Sequence, residues 1–141
     1  MNLSTHFTLD EMTLSQTADR RSIDNTPPPS IVEALKKTAL GLEGVRTLLG
    51  APIVISSGYR SPLLNQVVGG TKNSQHTTGQ AVDFIAPGYG SPAEIVRTIV
   101  KAGLAFDQCI LEFDRWVHIS FSDRPRRQAL IIDRNGTRAF A

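Results

Sequence analysis

Ser74-Gln75-His76-Thr77-Thr78-Gly79-Gln80-Ala81-Val82-Asp83 holds a histidine, a glycine suited to a tight backbone, and an aspartate entering an apolar run. Imidazole nitrogen and carboxylate oxygen are both good zinc ligands, and a catalytic zinc site takes three protein ligands with one position open. The chain has three histidines: His6, His76 and His118. His118 falls in Trp116-Val117-His118-Ile119-Ser120, an alternation that reads as a strand. Alternate side chains of a strand point to opposite faces, so Trp116, His118 and Ser120 share one face and Val117 and Ile119 the other. By the same rule Asp83 points away from Val82 and Phe84. Both residues can leave the apolar core toward the loop bearing His76. The expected zinc ligands are therefore His76, Asp83 and His118. The competing reading is a surface aspartate with two unrelated histidines. His6 precedes a helix start and is expected in loop packing or solvent.

The set Ser74, His76, Gly79, Ala81 and Asp83 forms a ten-residue motif. Ser57-Gly58-Tyr59-Arg60-Ser61 stands upstream of it and Val117-His118-Ile119 downstream. Together, over about 53–121, they resemble the D-alanyl-D-alanine carboxypeptidase family of zinc peptidases. That family includes D-Ala-D-Ala dipeptidases of vancomycin resistance, phage endolysins that cut peptidoglycan stem peptides, and the hedgehog signalling domain. The resemblance implies a Zn2+ cofactor and peptidoglycan stem peptides as substrate. A peptidase also needs a base for the attacking water, and Glu112 ends the strand before His118. If an odd number of residues forms the turn between them, the two side chains share a face. Hedgehog domains similarly carry a site glutamate six residues before the last zinc histidine, the spacing of Glu112 and His118. Endolysin-like members instead hold the acid three residues before it, where this chain has Arg115. Asp114 is the other carboxylate nearby.

Arg60 is the expected electrophilic partner, since a guanidinium can hold a carboxylate or carbonyl bidentately and support an oxyanion. The dipeptidase relatives resemble this chain in carrying an arginine ahead of the first histidine. A solvated loop arginine is the alternative. Some relatives place a second histidine where Trp116 stands, which points Trp116 toward packing or substrate stacking. Tyr59 is expected to line the pocket. Ser74 and Gln75 are expected to orient His76 by hydrogen bonds, with Ser74 also at the substrate.

The chain of 141 residues is one domain in size, 1–141, with room for a core. Hydrophobic residues at 40% against charged residues at 20% describe a globular chain rather than a disordered one. A net charge of +2 is too mild to imply nucleic acid. Cys109 is the one cysteine, so no intramolecular disulfide exists, and its apolar surroundings read as a buried small hydrophobe rather than a nucleophile. No signal-peptide pattern or membrane-length apolar run is visible. Cytoplasmic synthesis is expected. With a wall substrate, that suggests a phage or prophage product released by lysis machinery or carried on a virion. Arg124, Arg126 and Arg127 read as a solvated charge run, with binding of anionic wall polymers as the sharper alternative.

Thr8 and Glu11 form a capping box for a helix over 9–18. Asp24-Asn25-Thr26-Pro27-Pro28-Pro29 is a loop. Ile31, Leu35, Ala39, Leu42, Val45 and Leu49 mark one stripe of a long helix, the expected main cover of the sheet, stopped at Gly50. Ile53-Val54-Ile55-Ser56-Ser57 reads as a short buried strand. Pro62 opens a short helix, 81–85 is a strand, and Ser91-Pro92-Ala93-Glu94 caps a further helix. Strands over 108–112 and 116–121 follow. Asn135-Gly136 then turns Ala129-Leu130-Ile131-Ile132 into a hairpin. The fold expected is α+β: a small, mostly antiparallel sheet with helices packed on one face and the zinc site on the sheet. Besides an enzyme, two readings fit: a non-catalytic zinc-containing binding module of hedgehog type, or a phage structural component contacting the cell wall.

Overall fold

The computed structural model describes residues 1–141. Its helices are α1 (Leu9–Thr13), α2 (Gln16–Arg21), α3 (Pro29–Leu49), α4 (Pro62–Val67) and α5 (Pro92–Ala102). Its strands are β1 (Val54–Ser57), β2 (Ala81–Ile85), β3 (Gln108–Glu112), β4 (Trp116–Ser120), β5 (Gln128–Asp133) and β6 (Gly136–Ala139). One six-stranded sheet results, in the order β1-β2-β4-β3-β5-β6. Every neighbouring pair is antiparallel except β3 and β5, which run parallel.

Alternation along the strands sorts the sheet into two faces. Val82 and Phe84, Val117 and Ile119, and Cys109 and Leu111 turn to the helical side. They are buried there against Leu35, Leu42 and Val45 of α3 and Ile95, Val96 and Ile99 of α5. α3 and α5 therefore share the cover. Burial at Cys109 pushes its thiol up to about 12, so it packs as a hydrophobe. The alternate residues, Asp83, His118, Ile110 and Glu112, turn to the opposite face. The α+β arrangement is that read from the sequence.

Two elements differ from expectation. The helix over 9–18 is two helices, because Leu14 is extended and the Ser15 side chain accepts from the Ala18 amide as a second N-cap. The break matters below, since it frees the Met12 carbonyl to accept from the Tyr59 amide at 2.7 Å. β1 is not a buried strand. It pairs on one side only, and Val54 is 50% exposed.

Candidate metal centre

Asp83 and His118 are direct cross-strand neighbours of β2 and β4, so antiparallel register alone sets their side chains next to each other. Asp83 Oδ1 lies 3.0 Å from His118 Nδ1 and 3.3 Å from His76 Nε2. The three donor atoms fall within 4.8 Å of one another. Zinc with bonds of about 2.0–2.2 Å in tetrahedral geometry separates its ligand atoms by roughly 3.3 Å. Two of the three edges already have that length, and two imidazoles with one carboxylate are a donor set zinc accepts. His6 is remote from this cluster, with Nδ1 against Glu43 Oε1 at 2.6 Å.

His76 is buried at 3% exposure, and its orientation is set by the backbone. Its Nδ1 lies 2.8 Å from the Gly58 carbonyl. A carbonyl only accepts, so Nδ1 carries the proton and donates, which leaves Nε2 to face Asp83. Gly79, at φ 75°, lets the chain turn between His76 and β2. Gly58 is placed by a bulge in β1, where Ser56 and Ser57 oppose the single residue Asp83. A Cβ on Gly58 would collide with the Met12 carbonyl, so only glycine permits this close approach. Burial raises the Asp83 carboxyl. Hydrogen bonds from His118 and His76, together with their charge, outweigh that and hold it well below the usual carboxylate range.

Glu112 sits diagonally across from His118. Phe113, Asp114 and Arg115 separate Glu112 from its partner Trp116, an odd loop, so Glu112 and His118 share a face. Glu112 Oε1 is 3.7 Å from His118 Nδ1. Burial, then the charge of Asp83, push its carboxyl above the ordinary value, with the charges of His118 and His76 opposing. Asp114 stays in the turn at φ 57°, outside the cleft. Arg60 leans over the cluster with Nη2 3.8 Å from Asp83 Oδ2, and its Nη1 donates to Asn65 Oδ1 at 3.1 Å. Asn25 clamps the backbone on either side of Arg60, donating to the Tyr59 carbonyl at 3.0 Å and accepting from the Ser61 amide at 2.7 Å. Arg60, His76, Asp83, Glu112 and His118 all line one cleft of about 760 Å³.

A comparison with protein families agrees with this geometry: the model described as Peptidase M15 matches residues 5–120. The chain belongs to the peptidase M15 family. Members are zinc peptidases of the D-Ala-D-Ala carboxypeptidase type. The M15 match includes the three donor residues, Arg60 and Glu112, and stops before β5. No curated protein is matched. No helix is long and apolar enough to cross a membrane.

The remaining expected site residues of this M15 chain are placed unevenly. Tyr59 is a correction: at 4% exposure it belongs to the core and does not line the cleft. Burial pushes its hydroxyl up. The turn out of β1 sends Tyr59 inward and its neighbour Arg60 outward. Ser74 does line the cleft, but its Oγ accepts from the His76 amide at 3.2 Å and leaves the imidazole to Gly58. Gln75 turns away from His76 and donates to Asp107 Oδ2 at 2.9 Å. Trp116 lies outside the cleft, packed on Phe113 with ring centroids 5.7 Å apart, and its buried Nε1 has no hydrogen-bond partner. This placement suits packing rather than stacking on a substrate.

Arg126 is the second correction. It is not simply solvated: its Nε and amide donate to Asp107 Oδ1 at 3.0 and 2.7 Å, and its Nη2 to Oδ2 at 2.7 Å. Arg126 holds the buried Asp107 carboxyl down at about 2. Gln75, Asp107 and Arg126 thus tie the loop of His76 to the segment after β4. In the sequence the only signal was an aspartate between Phe106 and the apolar run Cys109-Ile110-Leu111, with its partner 19 residues away.

Proposed function

We propose that this M15 chain hydrolyses peptidoglycan stem peptides as a zinc-dependent carboxypeptidase or endopeptidase. The observation that carries the reading is the position of Glu112: on the face of the three donors, beside His118, yet outside the donor set. Zinc at His76, Asp83 and His118 would supply a Lewis acid that polarises a carbonyl and acidifies water. Glu112 Oε1 would take the proton of the attacking water and return it to the leaving amine. Arg60, pinned by Asn65, would hold a substrate carboxylate or carbonyl oxygen. Burial lowers the guanidinium's pKa, and the charges of Asp83 and Glu112 oppose that. The resemblance to endolysins extends the proposal to a phage-encoded enzyme.

The test is mass spectrometry of peptidoglycan digested by zinc-loaded protein. Wild type should release a defined stem-peptide fragment. Glu112→Gln should keep its zinc and lose about 10²–10⁴-fold in rate. Asp114→Asn should be mild. Full activity in Glu112→Gln with a dead Asp114→Asn would assign the base to Asp114. No cleavage by zinc-loaded wild type would leave the binding-module reading.

A further inference from the structure

Ala129-Leu130-Ile131-Ile132 in β5 is apolar on both faces. A strand whose two faces are both apolar is normally covered on both. Ala129 and Ile131 pack on the core. Leu130 and Ile132 face the other way and are only half-buried, lining the cleft with Ile110 and the 46% exposed Phe113. The register places them on a line from the metal cluster. Asp83, His118, Ile110 and Leu130 are successive cross-strand partners, and Ile132 is the partner of Glu112. This part of the sheet lies outside the M15 match, which ends at residue 120.

We infer that β5 and β6 form a substrate-binding shelf on which Leu130 and Ile132 select small aliphatic side chains of an extended peptide. The inference rests on the peptidase reading and specifies its substrate. Strands lie about 4.8 Å apart, so Leu130, two strands from His118, is roughly 10 Å away, the length of about three extended residues. Arg60 reaches Asp83 from the β1 side, the opposite end of this line. A peptide whose terminal carboxylate meets Arg60 therefore lays the residues on the amino side of the cut bond across the shelf. Gln108 and Arg126 border the shelf and are the polar groups its backbone would meet.

The experiment is calorimetric titration of a synthetic stem pentapeptide into zinc-loaded Glu112→Gln protein, with and without Leu130→Thr and Ile132→Thr. Threonine keeps strand propensity while removing aliphatic surface. The doubly substituted shelf should bind the pentapeptide about tenfold more weakly or worse, since one methylene in an apolar pocket is worth roughly 10–200-fold. Zinc content and Tm should match the parent, and Arg134→Ala in the hairpin turn should bind as the parent does. Equal affinity with and without the shelf substitutions overturns the inference, as does absence of pentapeptide binding by the parent. Wild type that binds the pentapeptide without cutting it defeats the peptidase reading instead, and the shelf stands if the substitutions still weaken binding.

Discussion

His76 is oriented by a backbone oxygen, and that oxygen is where it is because residue 58 has no side chain. Gly58→Ala should push the β1 exit away from Met12 and misplace the carbonyl on Nδ1. Loss of such a supporting contact typically costs 10–100-fold in metal affinity. Competition with a chromophoric chelator should show that loss, and unchanged zinc affinity would remove Gly58 from the account. Arg60 makes a second prediction: stem peptides ending in a free D-Ala carboxylate should be cut faster than amidated ones, and Arg60→Ala should erase the preference. Equal rates for the two substrates on wild type would favour an endopeptidase. At this scale the clustering of His76, Asp83 and His118 was legible, because they are residue types zinc takes and strand alternation gives two of them their direction. Gly58 was not, because a carbonyl leaves no trace in residue identity. Tyr59 was misread because a turn, unlike a strand, has no fixed alternation to say which neighbour goes inward.

Among the elements, the loop of His76 and the segment between β4 and β5 are joined by one buried carboxylate, Asp107, 2% exposed. Its pKa is depressed by Arg126, so it contributes stability that is present above the unfolded value near 3.8 and is lost as pH falls toward about 2. Arg126 is half exposed, which discounts the pair for solvent screening. Asp107→Asn should therefore destabilise the fold by about 1–3 kcal/mol at neutral pH. Its urea midpoint should also lose part of the decline that wild type shows between pH 4 and 2. A variant as stable as wild type at pH 7 would show the network to be incidental. The helices, the β3–β4 turn and the Asn135-Gly136 hairpin could be read from local pattern. The parallel pairing of β3 with β5 could not, since it depends on where the segment after β4 crosses, and Arg126 finds Asp107 only in three dimensions. The split of the first helix at Leu14 leaves the Met12 and Thr13 carbonyls to partners distant in sequence, the Tyr59 amide and the Asn25 side chain.

For the whole molecule, the candidate donors come from a loop and two strands, so a bound metal would hold together parts distant in sequence. Anything that binds the folded chain alone stabilises it, by about 4 kcal/mol at a thousand times Kd. Chelation should lower Tm by roughly 10 °C or more, and restoring zinc should reverse it. The most direct test of the metal centre is the zinc content of purified, zinc-dialysed protein beside His76→Ala, Asp83→Ala and His118→Ala. The account predicts about one zinc per wild-type chain and loss of most of it in each variant. Wild type without zinc, or full zinc in all three variants, would contradict it.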